Sequence, residues 1–544
     1  MDLIPTLIHD HQYNIGHICT RQQVEGGLAD KVAMRWITPD LQRTDYTYHD
    51  LEEASNRAAN LLLALGARPG ERVFTFLPKS PELYFAFLGI LKIQAVAGVL
   101  FANFGEEALL DRLGDAGARF LITKKSFLRK IKNIWPELPA LEKVLVVDLV
   151  EDESNRILSY PRLFERASDD YDTPLTAPET PSVLHYTSGS TGKPKGVLHA
   201  HRSVLFQAHT FRGILSVRDE DIYWCTADPG WVTGTSYGII GPWSQGVTQV
   251  HYGGSYNAET WFTVLESQGV NVWYTAPTAL RMLMQEDEAL FRRFDLSRLR
   301  HIFSVGEPLN PAVIDWSRQV LGQEIYDTWF QTETGAIMIS NHPGLPIRPG
   351  SMGKPFAPLE AAVLDPAAQP VADMEEGRLC LKSGWPSMFV TYLNRSEQYA
   401  EKFQDGYYDS GDLAYRDPDG YFWFVGRGDD VINTAGHLVS PFEVESALIE
   451  LDEVAESGVI GAPDPLLWEK VVAYVRLKAG IAWDRDLELK LRLHVSNRVS
   501  SIATPQEIRV IDSIPKNKSG KIMRRVLKAW YTGQDAGDLS TLEE

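Results

Sequence analysis

The sequence predicts an α/β protein. A large N-terminal part carries parallel and mixed sheets covered by helices and includes a β-rich subdomain, and a small α+β domain follows. Three observations carry this prediction. The first third alternates strand and helix, Gly, Pro and Asp punctuation rises after about Gly350, and a helix-opening signature follows a glycine-rich stretch near residue 428. At roughly 150 residues per domain, 544 residues make three or four structural units.

In chain order, Thr47 precedes a helix with Leu51, Ala54, Ala58, Leu61, Leu62 and Leu65 at helical spacing, and Gly66 ends it. Segment 73–77 reads as a strand, 81–94 as a helix, and 96–101, 119–123 and 144–148 as further strands. Similar units recur around 270–275, 301–305 and 324–327. The short strands 359–364, 377–382 and 421–425 define the β-rich subdomain, about 350–428. Gly426-Arg427-Gly428-Asp429-Asp430 reads as a linker. Ser440-Pro441-Phe442-Glu443 combines a capping box with proline at the first helical position and opens a helix to about Leu451. Strands at 454–460 and 471–477 and a helix from about Asp484 complete the small domain.

Composition narrows the function. Lys and Arg number 53 and Asp and Glu 72, a formal charge of −19, so the surface repels phosphate backbones and no nucleic-acid partner is expected. Cys19, Cys225 and Cys380 lie far apart and suggest neither a disulfide framework nor a zinc cluster; they fit a reducing, cytoplasmic setting. The N-terminus lacks a basic segment followed by an apolar one, so no signal peptide is read. From Leu83 to Ala102 nearly every residue is apolar, but Lys92 and Gln94 interrupt the run, and a central lysine costs about 3 kcal/mol on insertion scales. A helix followed by a strand accounts for the run, and no membrane contact is expected.

The sharpest local feature is Tyr186-Thr-Ser-Gly-Ser-Thr-Gly-Lys-Pro-Lys-Gly196, with three glycines, four Ser/Thr hydroxyls and two lysines between apolar flanks. Glycines let backbone N–H groups approach an anion, hydroxyls donate and lysines supply charge, which together make a phosphate cradle. A Walker A loop would need Lys-Ser/Thr opening a helix, whereas Lys193 precedes proline. A flexible surface loop is the competing reading.

This loop resembles the signature of the adenylate-forming superfamily of acyl-CoA synthetases, luciferases and peptide-synthetase adenylation domains. Further segments match that superfamily in order. These are Gly306-Glu307-Pro308, Asp327-Thr328-Trp329-Phe330-Gln331-Thr332-Glu333-Thr334-Gly335, Tyr408-Asp-Ser-Gly-Asp412 with Gly426-Arg427, and Pro515-Lys-Asn-Lys-Ser-Gly-Lys521. The resemblance covers most of the chain and implies an adenylation domain over 1–428, a hinge at 429–430, a mobile C-terminal domain over 431–535 and a tail over 536–544.

The same resemblance implies residue roles. Thr187, Ser188, Gly189, Ser190, Thr191, Gly192 and Lys195 would hold the β- and γ-phosphates of ATP. Gly306, Glu307 and Pro308 would meet the adenine, and Asp327, Thr328, Trp329, Phe330 and Gln331 would contribute nucleotide contacts. Thr332 would contact the α-phosphate and Glu333 would hold Mg²⁺, a hard cation suited to one carboxylate plus phosphate oxygens. Asp412 would accept the ribose hydroxyls and Arg427 would donate nearby. Lys521 would bridge carboxylate and α-phosphate. Asp429 falls at the hinge, and Gly436 and Ala435 at the coenzyme A tunnel. Two departures stand out, since relatives commonly carry arginine at Leu438 and serine at Ala435.

Within the superfamily the motifs are most similar to the AMP-forming acetyl-CoA synthetases. By that resemblance Trp231, Val232, Thr233, Val305 and Phe330 line an acyl pocket. Acetyl-specific relatives usually have tryptophan where Phe330 stands. A phenyl ring still truncates the pocket, while one methylene, worth about 1 kcal/mol, has room. The expected activity is conversion of acetate, with propionate tolerated, to acyl-AMP and then, with coenzyme A, to acyl-CoA. The expected partners are thus a small carboxylate, ATP and CoA. A medium-chain or aryl-CoA ligase, an amino-acid adenylation domain and a non-catalytic nucleotide-binding homologue are the competing readings.

Overall fold

The computed structural model describes residues 13–187, 194–428, 430–434, 437–517 and 521–536, together with 539 and 542. Among them the strands form sheets of fourteen, eight and five strands. The eight-stranded sheet has a parallel body in the order Ile157–Ser159, Lys143–Val146, Phe120–Thr123, Arg72–Phe76, Val96–Leu100 and Pro181–Thr187. Lys195–Ala200 and Thr391–Tyr392 then add antiparallel strands. The glycine-rich loop therefore joins two antiparallel strands and opens no helix, as its Lys-Pro sequence predicts.

The fourteen-stranded sheet holds a second parallel body. Ile325–Trp329, His301–Val305, Val272–Thr275, Ile222–Cys225, Thr248–Tyr252 and Val32–Ile37 lie side by side. Through Ile339–Ser340 and Ser351–Pro355 it continues into the antiparallel β-rich part built on Ala361–Leu364, Gly377–Lys382, Tyr407–Arg416 and Phe422–Arg427. The C-terminal part pairs Val454–Asp464 with Trp468–Leu477 and packs the helices Pro441–Ile449 and Arg485–Arg498 on that sheet.

Local sequence explains these elements. Thr47 caps the helix Tyr48–Ala64 in a reciprocal box with Asp50, and Gly66, at φ +86°, takes the left-handed conformation that lets the chain turn away. The apolar run from Leu83 divides into the helix Pro81–Lys92 and the strand Val96–Leu100. From Leu83 onward that helix is apolar all round because it is enclosed, and the one charge in that stretch, Lys92, is neutralised inside. Lys92 Nζ lies 2.5 Å from Glu52 Oε2 and donates to Asn56 Oδ1 at 2.6 Å. No described helix is long and apolar enough to cross a membrane.

Two readings of the sequence need correction. The stretch beginning at Gly426 is not all linker. The strand Phe422–Arg427 carries Gly426 and Arg427 in register with Leu413 and Asp412, and Gly428 N–H still bonds to Gly411 O at 2.9 Å. The capping box at Ser440 forms only in part. Ser440 Oγ accepts from Glu443 N–H, while its own hydroxyl donates to Val425 O. The Glu443 side chain is exposed, and partial desolvation together with the nearby Glu376 carboxylate raises its pKa.

Candidate active site

The site grows from three strand ends and the segment after Trp329. Tyr407–Arg416 and Phe422–Arg427 are antiparallel neighbours, so Asp412 and Arg427 face each other by register, with Arg427 Nη1 3.4 Å from Asp412 Oδ1. The other carboxylate oxygen accepts from Trp329 Nε1 at 3.0 Å and from Gln331 Nε2 at 3.1 Å. Gln331 is itself fixed, since Nε2 donates to Ser410 O at 3.0 Å and Oε1 accepts from Tyr408 OH at 3.0 Å. Asp412 is 4 % exposed, and burial raises its pKa against the pull of Arg427 and Lys521. A carboxylate has about four lone-pair positions, so after these three contacts one acceptor position remains, on the oxygen that faces Arg427.

Glu333 anchors the opposite side. Its Oε1 accepts from Tyr392 OH at 2.8 Å, and its backbone oxygen accepts from Phe389 N–H at 3.0 Å. Lys195 lies 5.5 Å above the Tyr392 ring and interacts with the Glu333 carboxylate. Burial and the neighbouring Lys402 hold its pKa below the ordinary lysine value. Its ammonium makes no hydrogen bond to a described residue. Thr332 is fixed through its carbonyl, which lies 2.7 Å from His199 Nε2, four positions after Lys195 on the same strand. Burial lowers the His199 pKa to about 4, so the ring is neutral and Nε2–H is the donor. Gly335, at φ +71°, is what permits this approach. A Cβ there would stand 2.5 Å from Ser387 O and 2.9 Å from His199 Cε1.

The remaining nucleotide candidates divide. Gly306 turns at φ +92°, but the Glu307 side chain is engaged, accepting from Thr278 Oγ1 at 2.8 Å and Arg281 Nη2 at 2.6 Å. Only the backbone of Gly306-Glu307-Pro308 is left to meet a ligand. Asp327 is buried and accepts from Ser304 Oγ at 2.6 Å, and burial brings its pKa up to about 7. Thr328 Oγ1 donates to Ser304 O at 2.7 Å and shares a hydrogen bond with Tyr274 OH. Asp327 and Thr328 thus brace the strand that delivers Trp329 and Gln331.

Among the acyl candidates, Val305 and Phe330 belong to one apolar cluster. Val232 and Thr233, each 8 % exposed, sit in the short helix Val232–Thr235. Trp231 packs on Phe101 with ring centroids 4.8 Å apart, in the neighbouring cluster.

Lys521 arrives from the C-terminal part. Its backbone N–H bonds to Asn517 Oδ1 at 2.9 Å and its carbonyl accepts from Asn517 N–H at 2.8 Å. Its ammonium interacts with Arg427, Asp430 and Asp412, and it makes no hydrogen bond to a described residue. Burial and Arg427 push its pKa below the ordinary lysine value. Leu438, in the strand His437–Val439, is 51 % exposed and offers no charge. Ser188, Gly189, Ser190, Thr191, Gly192, Asp429, Ala435 and Gly436 lie outside the described residues. His199, Tyr392 and Asn517 were not singled out from the sequence. Their partners stand 133, 59 and 4 positions away, so only the short-range pair left a local signal.

Comparison with known proteins identifies the family. Residues 21–393 match the AMP-binding enzyme family and residues 443–521 the AMP-binding enzyme C-terminal domain. The acetyl-coenzyme A synthetase of Bacillus subtilis is 46 % identical, over 98 % of this chain and 93 % of its own length. That of Deinococcus radiodurans is 39 % identical, over 98 % and 86 %. An anthranilate CoA ligase solved with anthranoyl-AMP superposes with a TM-score of 0.88 at 30 % identity, over 96 % of this chain and 98 % of its own. With both family regions matched in order and near-full-length relatives on either measure, this chain belongs to the AMP-binding enzyme family.

Proposed function

We propose that the protein is an AMP-forming acyl-CoA ligase for acetate, with propionate tolerated. It joins the acid to the α-phosphate of ATP, releases pyrophosphate, and passes the acyl group to coenzyme A. One observation carries this reading. Two lysines from distant parts of the chain, Lys195 and Lys521, bring ammonium groups that bond to no described residue beside Glu333 and Asp412, at the two ends of one braced segment.

The chemistry follows from charge and position. An acid oxygen attacks the α-phosphorus and the bond to the β-phosphate oxygen breaks, while negative charge grows on the phosphates. The acid is already ionised at pH 7, so no general base is required. Lys195, with Thr187 and the glycine-rich loop, meets the β- and γ-phosphates. Lys521 draws the acid and the α-phosphate together, and Asp412 and Arg427 hold the ribose. Thr332 presents its side chain to the α-phosphate because His199 fixes its backbone. The donor set fits Mg²⁺, because Glu333 commits one oxygen to Tyr392 and keeps acceptor positions for a cation that phosphate oxygens complete. Bound there, the ion would neutralise charge on the phosphates. In the second step the coenzyme A sulfur attacks the acyl carbon, and the bond to the AMP phosphate breaks.

Support for a short acid comes from Phe330, whose ring packs in the cluster with Val305, and from the relatives named above. The buried, unpaired cysteines support a reducing cytoplasmic setting. The test is Lys521→Ala. Acyl-AMP formation should vanish while thioester formation from supplied acetyl-AMP persists. Equal loss of both steps would remove the role given to Lys521.

A further inference from the structure

We propose that Tyr237 is a positioning residue that sets the size of acid accepted, by holding the Phe330 ring as the floor of the acyl pocket. The inference rests on the acyl-ligase reading above and adds a residue to it.

Tyr237 sits in an irregular stretch of π-helix, Ser236–Ile240, that directly follows the short helix carrying Val232 and Thr233. Such bulges push a side chain out of ordinary helical register and often mark functional sites. Here two successive side chains grip the segment that carries Phe330. Ser236 Oγ donates to Gly335 O at 2.8 Å, and Gln207 Nε2 joins both, at 2.9 Å from Ser236 Oγ and 3.1 Å from Gly335 O. Tyr237 OH accepts from Ile337 N–H at 2.7 Å.

The Tyr237 ring has no freedom left. Thr210 Oγ1 lies 2.7 Å from Phe206 O, which takes its hydrogen, so Tyr237 is the donor in its 2.7 Å bond to Thr210. The hydroxyl is thus bonded as both acceptor and donor. One side of the fully buried ring meets Tyr274 at 5.7 Å and 83°, and Phe330 lies 5.5 Å away at 75°. Tyr274 is pinned in turn by Thr328. Edge-to-face pairs of this kind attract beyond simple burial, because the positive ring edge meets the negative ring face, and so favour one ring orientation. Phe330 is only half-buried and bonds to nothing through its side chain, so its place depends on the ring behind it. Without that ring, Phe330 can recede into the space and deepen the pocket by more than the one methylene it now admits.

The test measures kcat/KM for ATP–pyrophosphate exchange with acetate, propionate and butyrate. It uses the unaltered protein, Tyr237→Leu, Tyr237→Phe, Phe330→Ala, and Phe330→Ala combined with Tyr237→Leu. The butyrate-to-acetate ratio should rise about tenfold in Tyr237→Leu, the discrimination a methylene-sized contact supplies, and about threefold in Tyr237→Phe, which keeps the ring but frees it. In the Phe330→Ala background the same Leu change should alter the ratio less than about twofold, because its effect passes through Phe330. A role confined to stability would lower all three acids together. An unchanged ratio in folded Tyr237→Leu, or an equal rise in both backgrounds, would overturn the inference. If the Leu variant does not fold, a wild-type ratio in Tyr237→Phe overturns it. Absence of exchange with all three acids in the unaltered protein would instead sink the acyl-ligase reading, and this inference with it.

Discussion

Replacing Asp412 probes both the architecture and the chemistry of the site. The carboxylate is buried, takes Trp329 Nε1 at 3.0 Å and Gln331 Nε2 at 3.1 Å on one oxygen, and faces Arg427 at 3.4 Å with the other. Asp412→Ala strands two donors and a guanidinium, and removing one partner of a buried pair costs about 3–5 kcal/mol. Asp412→Asn is milder. Its carbonyl oxygen still accepts from Trp329 and Gln331, while its amide N–H₂ turns a donor towards Arg427, a loss of about 1–2 kcal/mol. Both changes remove the charged acceptor proposed for the ribose hydroxyls, and hydrogen bonds to a charged group are worth about 1.5–3 kcal/mol. The KM for ATP in Asp412→Asn should therefore rise about 10- to 100-fold. Steady-state pyrophosphate exchange at saturating acetate measures the KM, and thermal unfolding measures the stability cost. Asp412→Asn with an unaltered KM for ATP would refute the ribose role, and Asp412→Ala at full stability would refute the bracing.

Three further outcomes follow from the same geometry. His185, His199 and His201 are kept neutral by burial, with pKa values near 3, 4 and 3, against about 6.5 when unfolded. Because the folded values are the depressed ones, the unfolded chain takes up protons first as pH falls. Stability is then lost between about pH 6.5 and 4, by up to about 1.4 kcal/mol per pH unit for each ring. Unfolding midpoints from pH 7.5 to 5 check this, and a flat profile would contradict it. The lowered Lys521 pKa should make adenylation fail on the alkaline side below the value of an exposed lysine, about 10.4; a limb at or above that value in the pH–rate profile of exchange would count against its buried, charged role. Phe330→Trp should raise the acetate-to-propionate ratio several-fold, the worth of about one methylene, and an unchanged ratio would take Phe330 out of the pocket.

The parts of the fold that could be read from sequence are those with local signals. Thr47 with Asp50, the apolar helix after Pro81 and the strand His301–Val305 fall where spacing and caps place them. The strands Ile222–Cys225 and Thr248–Tyr252 are not legible in the sequence, because short buried parallel strands carry no alternation to distinguish them from other apolar runs. Site residues divide in the same way. Asp412, Glu333, Lys195 and Lys521 announce themselves by motif. His199, Tyr392 and Tyr237 do not, since each acts on a residue brought close only by the tertiary fold. Glu307 shows the converse, an acid inside a motif whose side chain is consumed by Arg281. Arg427 shows how a glycine-flanked stretch resembling a linker is held as strand once its neighbour Asp412 is in place.

The central claim, that this site joins a short carboxylic acid to AMP, is tested most directly by carboxylate-dependent exchange of radiolabelled pyrophosphate into ATP. Acetate, propionate, butyrate, benzoate and glycine would be compared, and coenzyme A then added to detect thioester. Exchange strongest with acetate, weaker with propionate, and thioester on adding coenzyme A are the predicted results. Exchange confined to benzoate or glycine, or none with any of the five, would contradict the account.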